Sequence, residues 1–120
     1  MYQYYREPIL DFRSSMEDIK SLEKRELKNT LTNALIYSGE NNWLKDIVYG
    51  FSENRISFIH TTHSILAYQE IISFIGERYI LILVEDAGFG FISPMEDIFV
   101  AVVVDNSSHE IVVSYSDAKK

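Results

Sequence analysis

The chain contains no cysteine. Disulfide frameworks, thiolate metal sites and cysteine nucleophiles are excluded, and a cytoplasmic location is the expectation that suits this best. Proline is scarce, with only Pro8 and Pro94. The longest apolar runs are six and seven residues, at 79–84 and 98–104, against the roughly 20 that a membrane-spanning helix needs. The stretch Met1–Phe12 carries Arg6, Glu7 and Asp11, so it does not read as a signal peptide, and no membrane partner is expected. Positive charge is nearly missing after Lys28. Residues 29–118 hold twelve acids against three bases (Lys45, Arg55 and Arg78), within a net charge of −7. A body this acidic repels phosphate backbones, which argues against nucleic acid as a partner, and it attracts a basic protein.

At 120 residues, 47% of them hydrophobic and 24% charged, the chain reads as one globular domain, 1–120. Its densest β-type sequence lies between Arg78 and Tyr115. Tyr79–Val84 and Ile98–Val104 barely alternate between apolar and polar, which predicts neighbouring strands covered on both faces. Ile111–Tyr115 predicts a shorter edge strand, joined to its predecessor by a turn at 105–108. Ahead of these, Ser14 and Glu17 have capping-box spacing, and Met16, Ile19 and Leu22, then Leu27, Leu31, Ala34, Leu35 and Ser38, suggest helix up to Gly39. Leu44, Ile47, Val48 and Phe51 predict a second helix capped by Asn41 or Asn42. The alternation in 56–61 predicts a strand. Residues 64–75 favour a helix stopped at Gly76, with a strand turning through Gly76-Glu77 as the rival. The expected fold class is α+β: N-terminal helices packed on a mainly antiparallel or mixed sheet of about four strands, ending in a β-hairpin. A cone-like pocket formed by a curved sheet is the competing architecture.

Catalytic signatures are missing. No nucleophile elbow or Walker loop occurs, and Gly88-Phe89-Gly90 lacks the third glycine and the helix of a dinucleotide site. His60 and His63 have metal-ligand spacing but straddle a strand end. Neither a metal nor another cofactor is expected, and the chain does not read as an enzyme. The mixed charges of Glu23-Lys24-Arg25-Glu26 read as a solvated helix face. The most unusual stretch is 85–97, where Glu85-Asp86 and Glu96-Asp97 bracket Phe89 and Phe91. Read as one loop, its carboxylates could hold a hard cation, act as an acid–base pair, or meet Lys and Arg on a partner with a phenylalanine as anchor. The partner reading assigns Glu85, Asp86, Phe89, Phe91, Glu96 and Asp97 to the interface.

In kind, this acidic domain with its acidic-aromatic stretch resembles the small bacterial immunity proteins that neutralise nuclease toxins, including those of contact-dependent growth inhibition. The resemblance implies a cytoplasmic antitoxin that covers the active site of a basic, nuclease-like toxin domain. An alternative class is a small-ligand protein or enzyme whose pocket between sheet and helices would use His60, Tyr68, Glu85 or Asp86. A third is a homodimer formed through an apolar strand edge or helix face.

Overall fold

The computed structural model describes residues 5–41 and 43–119, with the backbone alone at Glu40. Residues 1–4, the expected cap Asn42, and Lys120 lie outside the described residues. The architecture corrects the expected sheet of about four strands: among the described residues, eight strands form one antiparallel sheet, and two short helices accompany it.

Helix is brief at the N-terminus. Ser15 caps α1 (Met16–Leu22): its hydroxyl accepts from the Asp18 N–H, and the Asp18 carboxylate accepts from the Ser15 N–H. This is a capping box one residue beyond the expected Ser14. The chain turns extended at Glu23, and the expected helix up to Gly39 is instead β1 (Leu27–Thr30) and β2 (Ala34–Asn41). Leu35 and Tyr37, two apart, enter the core while Leu27 and Leu31 stay exposed. That is strand periodicity.

The expected second helix is β3 (Leu44–Ser52). Asn41 does form the turn hydrogen bonds of a cap, accepting from the N–H groups of Trp43 and Leu44, but it does so between two strands. The helix-like spacing of Leu44 and Ile47 comes from an irregularity between Leu44 and Asp46, after which Ile47, Tyr49 and Phe51 alternate into the core. Glu53 and Asn54, both at positive φ, turn β3 into β4 (Arg55–Ser64), as a two-residue hairpin of this twist requires.

The Ser64 hydroxyl accepts from the Leu66 N–H and opens a 3-10 turn, Ile65–Ala67. It leads into α2 (Tyr68–Arg78), which runs through Gly76 and ends two residues later. Ile71, Phe74 and Ile75 of α2 are buried in the core. The second half of the sheet follows: β5 (Ile80–Glu85), β6 (Gly88–Ile92), β7 (Ile98–Asp105) and β8 (Glu110–Asp117).

The strand order is β1-β2-β3-β4-β8-β7-β6-β5. Each half is a helix followed by a four-stranded meander, and the last strands of the two halves pair with each other. Two expectations fall with this order. The runs 79–84 and 98–104 are not neighbours, because β6 lies between β5 and β7. The strand at 111–115 is central rather than an edge. Residues 88–92, read as loop, form a strand because their glycines admit a close neighbour. A Cβ on Gly88 would lie 2.1 Å from the Val102 carbonyl oxygen, and one on Gly90 would press on the Phe99 ring.

The core lies on one face, hereafter the inner face. Leu35, Tyr49, Ile59, Tyr115, Val100 and Phe91 run across it, beneath Tyr5, Ile19 and α2.

Candidate partner-binding cleft

Antiparallel hairpins set the ends of this sheet. The β5–β6 turn and the β7–β8 turn come out at the same end, beside the start of α2. Two backbone hydrogen bonds hold them there: the Val104 N–H donates to the Ala87 carbonyl at 2.7 Å, and the Ile65 N–H donates to the His109 carbonyl at 2.9 Å. Between them opens a cleft of about 400 Å³, lined by Ile65, Tyr68, Phe89 and Val104 and by Glu85, Asp86 and Asn106. Its floor is apolar and its rim carries two exposed carboxylates. No Lys or Arg is among the lining residues. Asp105 stands beside Asn106 on the neighbouring turn, and hydrogen bonds from Ser107 and Ser108 hold its carboxyl below the usual range. Nearby, Lys45 is paired with Glu110 at 2.7 Å.

The six expected interface residues do not act as one loop. Glu85, Asp86 and Phe89 line the cleft. Phe91 is buried in the core and offers no anchor to a partner. Glu96 and Asp97 lie at the opposite end of β6, roughly 14 Å away at about 3.4 Å per strand residue. There Asp97 serves the turn: its carboxylate accepts from the Ser93 hydroxyl at 2.6 Å, and its N–H donates to the same oxygen at 3.0 Å. That hydroxyl is the main reason its carboxyl lies below the usual range. A strand separates the two acidic pairs, so they cannot share a cation or a proton.

Three of the four side chains proposed for a ligand pocket, Tyr68, Glu85 and Asp86, do meet in the cleft. His60 does not, because it lies across the sheet against Phe58, with ring centroids 4.6 Å apart. Ile65, Val104 and Asn106 were not foreseen. They come from three separate segments, and only the turn chemistry of 105–108 hinted that this end of the sheet carried a defined hairpin. Among the described residues, no group of three or more His, Asp or Glu side chains could hold a metal ion. No described helix is long and apolar enough to cross a membrane.

A second polar cluster lies inside the core. The hydroxyls of Tyr5 and Tyr115 are hydrogen-bonded, Thr61 Oγ1 is 2.8 Å from His63 Nε2, and the Tyr79 hydroxyl donates to Glu7 at 2.9 Å. Burial pushes the tyrosine hydroxyls up and the His63 imidazole down to about 4. These groups line neither the cleft nor its rim, and among the described residues no buried side-chain N or O lacks a hydrogen bond. They read as packing, the usual role of such groups.

The cluster carries a pH prediction. A histidine whose pKa falls on folding contributes stability that is fully present above about 6.5 and is lost as pH falls toward 4, because the unfolded chain binds the proton first. Between pH 7 and pH 5 the unfolding free energy should drop by about 2 kcal/mol. Burial also lowers the pKa of half-buried His60, which adds in the same direction. Urea melts at the two pH values should show the drop in wild type and a much smaller one in His63→Gln. An equal drop in the variant would remove His63 as the cause.

No protein-family model matches this sequence, and neither the curated proteins nor the solved structures hold a match.

Proposed function

We propose that this protein is a small acidic binding protein, without catalytic activity of its own, that neutralises a basic, nuclease-like protein domain by covering it. The observation that carries the reading is the cleft at the α2 end of the sheet, with its apolar floor and its two-carboxylate rim. Such a site suits a Lys or Arg side chain. The aliphatic stem packs on Phe89, Ile65 and Val104, and the charged head meets Glu85 or Asp86. The surplus of acids after residue 28 supports the same partner, because it steers a cationic surface toward the protein from a distance. This is the immunity-protein class of function, with the interface moved from a loop at 85–97 to a cleft built by several elements.

The test takes the product of the adjoining reading frame as partner and measures its cleavage of nucleic acid with and without this protein. Wild type should abolish cleavage at equimolar concentration. Glu85→Gln combined with Asp86→Asn should slow association by about tenfold at low salt and by less as salt rises. Phe89→Ala, checked for unchanged melting, should cost about 2 kcal/mol of affinity through faster dissociation. An adjoining product without a basic domain, or variants that inhibit as well as wild type at both salts, would sink the proposal.

The cleft volume also falls within the range of small-molecule sites. A free amine-bearing ligand is the second reading. Thermal shifts with arginine and with a diamine, lost in the same double variant, would favour it over a protein partner.

A further inference from the structure

Among the described residues, β5 lies at the end of the sheet and is flanked by β6 on one side only. Ile80, Leu81, Ile82, Leu83 and Val84 are each about half exposed, between 47% and 64%. They are spread over both faces: Ile80 and Leu83 pair across from Ile92 and Gly90 on the outer face, while Leu81 and Val84 pair across from Phe91 and Phe89 on the inner one. The expected burial of this run on both faces is thus not met within one chain, because the sheet has a covering layer on one face only and β5 is its last strand.

Natural edge strands are normally blunted by charge, proline, shortness or a β-bulge. The opposite edge follows that rule: β1 has four residues, and Lys28 and Asn29 are two of them. Between Ile80 and Val84 there is no charge and no proline. The one irregularity is an extra residue, Ile82, between the pairs Leu81–Phe91 and Leu83–Gly90. Beside the edge, the outer face adds a mostly apolar groove of about 360 Å³ floored by Gly88, Gly90 and Ala101 and walled by Leu83, Phe99 and Val103, with Glu85 also lining it. Together these make an apolar surface continuous with an unpaired backbone edge, which is the form of an interface.

The flanking charges identify the occupant. Arg78, whose guanidinium also donates to the Phe74 carbonyl and lies 3.5 Å from Glu77, precedes the strand, and Glu85-Asp86 closes it. Residues opposite each other in an antiparallel pair share a face, so in pairing of two copies about the middle of β5 Ile80 stands opposite Leu83 on the outer face, and Arg78 comes to Glu85. Two-fold symmetry repeats the favourable contact at the other end. Parallel pairing would instead stack Arg78 on Arg78 and acid on acid.

We propose that the protein forms a two-fold dimer by antiparallel pairing of β5 with β5 of a second copy, so that the sheet continues across both. The outer-face groove widens a contact that the strand edge alone would leave small. This dimer does not depend on the basic-partner reading of the cleft.

Light scattering and sedimentation equilibrium on the full chain at about 10–100 μM should give the dimer mass. Ile82→Lys places two ammonium groups in the middle of the pair and should give monomers with unchanged melting. Glu85→Lys with Asp86→Lys makes all four strand ends positive, and should weaken the dimer at least about tenfold at low salt. Adding Arg78→Glu to that double variant should restore it. Restoration belongs to the dimer alone, because Arg78→Glu would not return the acidic rim to a basic partner. A wild-type monomer across the concentration range, an Ile82→Lys dimer as tight as wild type, or a triple variant no tighter than the double would each overturn the proposal.

Discussion

Val102→Asp should leave no folded protein at 25 °C. Val102 is fully buried on β7, paired with Val113 of β8 on one side and Phe89 of β6 on the other. Its side chain joins the core, where a carboxylate would find no water. Burying an uncompensated charge costs several kcal/mol even after the group shifts its pKa to neutralise itself. A domain of this size has about 5–15 kcal/mol of stability in total, and the loss of valine packing adds to the deficit. The control is the next residue. Val103 points to the outer face and is 46% exposed, so Val103→Asp should stay folded, with a change of about 1 kcal/mol or less. Circular dichroism melts of the two variants make the comparison. A cooperative melt for Val102→Asp close to wild type would show that β7 does not face the core as described.

The second large effect is expected at Glu23, which the mixed charges of its neighbours made look solvated. Its side chain is only 3% exposed and that of Arg25 13%. The Arg25 guanidinium reaches both Glu23 carboxylate oxygens, at 2.9 and 3.0 Å, and the Tyr49 hydroxyl donates to one of them at 2.6 Å. The Ile9 N–H in turn donates to the Tyr49 hydroxyl at 3.0 Å. One carboxylate therefore joins the N-terminal arm, the segment after α1, and β3. Removing one member of a buried charged network costs more than the network contributes, because the remaining groups stay desolvated. Glu23→Ala should destabilise by about 3 kcal/mol, and Glu23→Gln, which keeps an acceptor for Tyr49, by about half of that. Urea midpoints would measure this, with an unchanged slope to show that compactness is preserved. Tyr49→Phe combined with Glu23→Ala should lose less than the sum of the single variants, because both remove the same hydrogen bond. Full additivity would mean that the two side chains do not work together.

Some of this protein was legible from its residues alone. The β-branched runs at 80–84, 98–104 and 111–115 are strands, because such side chains fit a pleated surface and restrict the backbone wherever they occur. The one-sided apolar pattern of 64–75 became α2, and Asp105-Asn106-Ser107-Ser108 became a turn through hydrogen bonds made within four residues. The want of cysteine and the acid surplus are properties of composition, and they limited the chemistry open to the side chains before any fold was known.

Strand order was different, since it depends on pairings between residues far apart in the chain. Nothing local distinguishes β5, which ends the sheet, from β7, which lies between two strands with one face in the core and Val103 exposed on the other: both are apolar runs, and only their neighbours differ. The residues 44–51 misled for a related reason. One irregularity in the β3–β4 pairing moved Leu44 out of step with Ile47, and strand spacing took on the look of a helical repeat. Tertiary structure alone decided that Glu23 is buried, that 88–92 is a strand, and that Glu96 and Asp97 stand a strand's length from Glu85 and Asp86. A side chain's surroundings come from the segments the fold sets against it, and those segments lie elsewhere in the sequence. The cleft follows the same logic: Phe89, Ile65 and Val104 belong to different elements, and only the closing of the second meander against the start of α2 brings them together.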